Sequence, residues 1–184
     1  VWLDGRKYNK EGHSPTNEMM VVSTTISPDG RLGAETALDE RACDCCQTAV
    51  AITSSGPIVA YRDRTADEIR DIYVVRRING GWTAPAPVYA DGWKIAACPV
   101  NGPAMSASGR NVAMTWFTVK QEQGQAYLAF SNDAGATFGK PIRIDDGGSL
   151  GRVDVELLPD GAALATWIEF ADQRAQFRAR RIDR

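Results

Sequence analysis

Three glycine-led apolar runs recur along the chain at nearly constant spacing, and that recurrence restricts it to repeat architectures. The runs are Gly56-Pro57-Ile58-Val59-Ala60-Tyr61-Arg62, Gly109-Arg110-Asn111-Val112-Ala113-Met114-Thr115-Trp116-Phe117 and Gly161-Ala162-Ala163-Leu164-Ala165-Thr166-Trp167-Ile168. Their glycines lie 53 and then 52 residues apart (56 to 109, 109 to 161). Self-similarity at such a period means that one supersecondary unit is repeated and stacked. Each run follows a short strand-like segment (48–53, 103–107, 153–158) and precedes another (71–78, 125–131, 176–182). The opening Val1-Trp2-Leu3-Asp4-Gly5 has the form of the same central strand in an earlier unit, with 19–26 as its next strand. Strand-formers such as Val21-Val22 and Ile72-Tyr73-Val74-Val75 dominate, and no segment carries a sustained helical period of apolar residues.

Several short strands per period, with turn signals between them, predict an all-β chain built as propeller blades. A β-sandwich is the alternative, and it would not require the repeated glycine-led strand. The turns agree with the blade count. Ser27-Pro28-Asp29-Gly30 closes the hairpin of the first unit and Asn79-Gly80-Gly81-Trp82 that of the second. The third carries Ser131-Asn132-Asp133-Ala134-Gly135-Ala136-Thr137-Phe138, a pattern S-x-D-x-G-x-T-F. Asp side chains bond nearby backbone N–H groups in turns, and Gly135 permits positive φ. Ser131, Asp133, Gly135, Thr137 and Phe138 resemble the Asp-box of the sialidase-type β-propellers, a hairpin turn on the rim of each blade. The resemblance implies blades over about 1–46, 47–98, 99–150 and 151–184, or about three and a half in one propeller segment. It also implies a six-bladed ring. The missing blades are then expected from the rest of a longer parent chain or from another subunit, since propellers close with four to eight.

Composition narrows the partners. With 43% hydrophobic and 24% charged residues, the chain can bury a core. A net charge of −2 argues against a general nucleic-acid binder. No apolar run is long enough to span a bilayer. Arg174, Arg178, Arg180, Arg181 and Arg184 cluster late, and Arg178 and Arg180 flank Ala179 on one face of a strand, which reads as a solvated rim.

Cys43, Cys45 and Cys46 sit at one blade junction, and Cys98 lies one repeat later, 52 residues after Cys46 (46 to 98). Like positions in adjacent blades are close, so a disulfide between Cys98 and one of the other three is expected. Four cysteines allow three pairings, and the sequence does not choose among them. Buried free thiols and a soft-metal thiolate site are the alternatives. The single histidine, His13, would have to be recruited from a distant loop for a Cys/His site. Disulfides would place the protein in the periplasm or outside the cell.

Polar residues at the ends of inner strands are candidates for ligand contact: Arg6 beside Asp4, Arg62 and Asp63, Arg70 and Asp71, Asp91 with Trp93, and Asn101. Arginines converging on a channel bind carboxylates bidentately. Sialidases hold sialic acid in this way, and the resemblance places Arg62 where such an arginine stands, with Arg6 second. Sialidase chemistry adds a tyrosine nucleophile assisted by a glutamate, and an aspartate acid/base. Arg152 falls near the place of that glutamate, while Glu156 reads as a structural strand residue. Tyr8, Tyr61, Tyr73, Tyr89 and Tyr127 all have ordinary strand or loop readings, and the F/Y-R-I-P segment of a first sialidase blade does not occur. The expectation is a segment that binds a glycan or other small anionic ligand at a channel mouth, possessing no cofactor or resident metal and possessing exo-sialidase-like hydrolase character if catalytic. The rivals are a non-catalytic interaction scaffold and a thiol-based metal-binding propeller.

Overall fold

The computed structural model describes residues 1–7 and 18–184. Tyr8 and His13 lie outside the described residues. Among those described, every regular element is a β-strand, so the all-β expectation holds, and no helix is long and apolar enough to cross a membrane.

The strands form four antiparallel sheets in chain order. Sheet I contains β1 (Trp2–Asp4), β2 (Met19–Ser23) and β3 (Thr36–Ala42). Sheet II contains β4 (Ala49–Thr53), β5 (Gly56–Arg62) and β6 (Ile72–Ile78), with β7 (Gly81–Trp82) and β8 (Ala86–Tyr89) both pairing with β6. Sheet III runs β9 (Ala104–Ser108), β10 (Asn111–Lys120), β11 (Gln123–Ser131) and β12 (Ile142–Arg143). Sheet IV has β13 (Ser149–Leu157), β14 (Ala163–Ala171) and β15 (Arg174–Ile182). In sheets I, III and IV each strand pairs with the next, and in sheet II β4, β5 and β6 do so while β7 and β8 both return to β6.

The repeated glycines have a local cause. Gly56, Gly109 and Gly161 stand at the turns into β5, β10 and β14, with φ of +123°, +60° and +88°. L-residues rarely adopt that region, so each repeat needs glycine there. β13 begins at Ser149, four residues ahead of the expected 153 (153 − 149), because its early register shifts at Gly151 let the strand start before the regular pairing.

One apolar cluster fills each junction between successive sheets. Val21, Leu38 and Ala42 meet Val59, Tyr61 and Val75 between sheets I and II. Ile58, Ala60, Ile72 and Val74 meet Met114, Trp116 and Ala129 between II and III. Ala113, Ala126 and Leu128 meet Val155, Ala165 and Trp167 between III and IV. Alternate residues of β5 thus serve opposite junctions, which is why Ile58 to Arg62 are all buried. Sheet IV buries one face of β14 and β15, and its other face exposes Leu164, Phe170 and Phe177. The first strands gather along one edge, with β4 beside β9 and β9 beside β13.

The S-x-D-x-G-x-T-F turn ties two sheets together. Ser131 Oγ donates to Asp133 Oδ1 at 2.7 Å, and Asp133 accepts from Thr137 N at 2.9 Å and Thr137 Oγ1 at 2.6 Å. These donors hold the Asp133 carboxyl at about 2, below its usual value, against the opposing effect of its burial. Ala134 N donates to Arg110 O at 2.8 Å. Gly135 has φ of +77°, and a Cβ there would meet Ile58 Cδ1 of sheet II at 2.2 Å. Phe138 packs into the junction between sheets II and III.

Candidate functional site

The two ends of the stack differ. The short turns before β5 and β10 meet at one end, where Ser54 N donates to Gly109 O at 2.8 Å. The opposite end collects the long β5–β6 loop (63–71) and the connections between sheets (43–48, 90–103, 144–148). This end carries most of the polar residues singled out in the sequence.

Arg62 ends β5 and is 1% exposed. Its Nε donates to Asn101 O at 2.7 Å, its Nη1 to Arg70 O at 2.5 Å and its Nη2 to Phe117 O at 2.5 Å. The guanidinium also lies 5.1 Å from the Trp93 ring centroid. Burial lowers its pKa to about 9, opposed by Asp91 and Asp71. All three guanidinium nitrogens of Arg62 thus meet main-chain carbonyls, and its fork stitches sheet II to the connections of sheet III. Asp91 is likewise taken, accepting Trp116 Nε1 at 2.6 Å and pairing with Lys120 Nζ at 3.0 Å. Arg6 lies apart, in sheet I, held by Asp4 at 2.6 Å and Glu35 at 2.7 Å. Hydrogen bonds from Arg6 hold the Asp4 carboxyl well below the usual carboxylate range. Asn101 joins sheets III and IV, its Oδ1 accepting from Arg152 N at 2.9 Å. Glu156 accepts from Ser106 Oγ at 3.2 Å, in keeping with a strand residue.

Arg70 belongs to a different constellation. Three arginines converge on the carboxylate of Glu68: Arg70 Nη2 at 2.7 Å, Arg64 Nη2 at 2.9 Å and Arg41 Nη2 at 3.6 Å. Arg41 comes from the end of β3, and the other two flank Glu68 in the β5–β6 loop. The local sequence explains the loop. Thr65 closes a tight turn, accepting Glu68 N at 3.0 Å through its carbonyl and Ile69 N at 3.0 Å through Oγ1. Arg70 N donates to Trp93 O at 2.8 Å and Ile95 N to Glu68 O at 3.0 Å, so the loop is pinned to the next connection. Hydrogen bonds from Arg64, then Arg70, lower the Glu68 pKa against the effect of its burial. Glu18 pairs with Arg41 at 2.7 Å and Asp44 with Arg64 at 3.3 Å. Arg41 Nε and Arg70 Nε are buried and without a hydrogen-bond partner among the described residues.

A cavity of about 470 Å³ opens beside this cluster, lined by Asp44, Cys45, Arg64, Glu68, Arg70 and Cys98 with Ala96 and Ala97. Asp63, next in the chain to Arg62, is 8% exposed. Burial is the main cause that pushes its carboxyl up to about 6. Tyr61 is fully buried and donates to Asp39 Oδ2, so its hydroxyl does not face solvent. The cysteines meet here too: Cys43 bonds Cys46, and Cys45, on the connection between sheets I and II, bonds Cys98, on the connection between sheets II and III.

Sequence reasoning missed Arg41, Arg64 and Glu68. The available signal was two arginines flanking one glutamate in Arg64-Thr65-Ala66-Asp67-Glu68-Ile69-Arg70, directly after an inner strand.

No protein-family profile matches the chain, and no curated protein sequence matches it. Among solved structures it is similar to an α-L-arabinofuranosidase from Podospora anserina crystallised with cellotriose, at 16% identity and a TM-score of 0.47. The match covers 90% of this chain and 60% of that one, so the chain spans less than two thirds of its neighbour's length. This likeness bears on neither mechanism nor residue roles.

Proposed function

We propose that the chain is a segment of a sialidase-like β-propeller whose loop-rich end binds a carboxylate-bearing glycan or another small anion. One observation carries the reading: arginines from two sheets gather on a single carboxylate beside an open cavity. Glu68 occupies the place that a ligand carboxylate would take, and the unpartnered Nε atoms of Arg41 and Arg70 offer further donors. The four stacked meanders and the S-x-D-x-G-x-T-F turn favour the propeller form. The apolar outer face of sheet IV, with Phe177 71% and Phe170 54% exposed, suits a further sheet from the parent chain or another subunit.

Binding is the reading for this chain rather than complete hydrolysis. Asp63, its carboxyl pushed up to about 6 by burial, is not among the residues that line the cavity. Tyr61 is sealed against Asp39 and unsuited to nucleophilic attack. The two disulfides favour an oxidising compartment, periplasmic or extracellular.

The test is calorimetric titration with N-acetylneuraminate, with a neutral hexose as control. Glu68→Ala should bind the carboxylated sugar at least about tenfold more tightly than wild type, because an internal competitor of roughly 1.4 kcal/mol is removed. Arg70→Ala should abolish that gain. If Glu68→Ala confers no preference for the carboxylated sugar, the reading fails.

A further inference from the structure

The cysteine cluster holds a chemistry beyond anion binding. Cys43, Cys45 and Cys46 place their Sγ atoms within 4.8 Å of one another, and Cys98 Sγ is bonded to that of Cys45. Cys43 Sγ and Cys45 Sγ, which belong to different disulfides, are 3.9 Å apart. Four thiolates around a tetrahedral Zn²⁺ lie about 2.3 Å from the metal, hence about 3.8 Å from each other. A disulfide holds its sulfurs about 2.05 Å apart, so each bonded pair must open by under about 2 Å to reach that spacing, and Cys98 Sγ, which is not one of the three gathered sulfurs, must also swing toward Cys43 and Cys46.

We propose that Cys43, Cys45, Cys46 and Cys98, when reduced, form a tetrathiolate site for a thiophilic d¹⁰ cation such as Zn²⁺, which the two disulfides close off when oxidised. The backbone already gathers the ligands. Cys43 N donates to Arg62 O at 2.9 Å, and Ile95 N donates to Glu68 O at 3.0 Å, which fixes the start of the segment bearing Cys98. Access is ordered as well. Cys98 is exposed, whereas Cys43 is 1% and Cys46 2% exposed. A reductant therefore meets the Cys45–Cys98 bond first. The Cys45 thiolate so released lies beside Cys43 and can carry the exchange to the buried bond.

The balance is two equivalents of a dithiol or phosphine reductant. Each disulfide takes up two electrons and two protons to give two thiols. Binding Zn²⁺ then expels the four thiol protons and leaves a centre of net charge −2. Arg64 and Arg70 line the cavity beside Cys45 and Cys98, where their positive charge opposes that surplus.

The experiment uses the intact chain, reduced anaerobically with a phosphine, freed of reductant and titrated with Zn²⁺ and with Cd²⁺. One metal ion per chain should bind, with sulfur-to-cadmium charge-transfer absorption in the near ultraviolet, and the oxidised protein should show neither. Cys98→Ser should weaken binding more than about tenfold, since even outer-shell losses cost 10–100-fold. It should also lower the absorption by about a quarter, as one of four thiolates is lost. Circular dichroism monitors the fold throughout. If reduction unfolds the chain, Zn²⁺ should restore the folded spectrum. No stoichiometric binding by the reduced protein, no refolding by metal, or equal affinity in Cys98→Ser would overturn the proposal.

Discussion

Replacing Arg62 by methionine separates a structural arginine from a ligand arginine. Methionine fills a similar volume without hydrogen-bond donors, so the carbonyls of Asn101, Arg70 and Phe117 lose their partner in a region closed to water. Hydrogen bonds from a charged donor contribute roughly 1.5–3 kcal/mol each, which bounds the loss at about 9 kcal/mol. The three bonds share one desolvated cation, whose pKa burial has brought down from its usual value to about 9. That burial cost is relieved in the variant, so the lower end applies, about 4 kcal/mol, in line with the 3–5 kcal/mol typical of uncoupling a buried charged partner. Urea unfolding followed by tryptophan fluorescence measures it, with Trp93 lying against the guanidinium as a local reporter. The midpoint should fall with little change in slope. A variant within about 0.5 kcal/mol of wild type that has lost carboxylate binding would refute the reasoning and return Arg62 to the ligand site.

Other perturbations test separate parts of the structure. Asp133→Asn should cost about 1–2 kcal/mol at neutral pH, after allowing for solvent screening of a partly exposed group. The folded pKa is depressed to about 2, so this contribution is present above the unfolded value of 3.8 and is lost as pH falls through 2, where variant and wild type should converge in denaturant melts. Asp63→Asn should act in the opposite sense. Its folded pKa is raised to about 6, so wild type loses stability as pH rises from 3.8 through 6, and the variant should be more stable by about 2 kcal/mol above that window and equal below it. Gly102→Ala should destabilise by at least about 2 kcal/mol in thermal melts, because its Cβ would lie 1.9 Å from the backbone oxygen of Gln47.

The stacked sheets were legible because the repeat has a backbone cause. Gly56, Gly109 and Gly161 each meet the same positive-φ turn, and apolar residues on both sides of β5 announce a strand buried on two faces. β3 was less visible: Leu38 and Ala42 are its buried apolar residues, amid exposed and charged neighbours. The arginine cluster around Glu68 was harder to see. A buried arginine at the end of an inner strand looks the same in sequence whether its donors meet ligand oxygens or main-chain carbonyls. For Arg62 the carbonyls come from residues 39 and 55 positions away, a distance no local pattern encodes. Glu68 adopts φ of 63° in a turn set by Thr65, so its carboxylate reaches Arg41 on another sheet through tertiary packing alone.

The whole arrangement rests on successive sheets stacking in register, so that corresponding loops, one repeat apart, touch at the same end. Tryptic digestion of monomeric, unreduced protein followed by mass spectrometry tests this directly. Residues 42–62 and 95–110 should be recovered covalently joined, all four sulfurs oxidised, through the Cys45–Cys98 bond. Recovery of 95–110 as a separate peptide with an unmodified thiol, from metal-free protein incubated with oxidised glutathione, would contradict the contact between these loops.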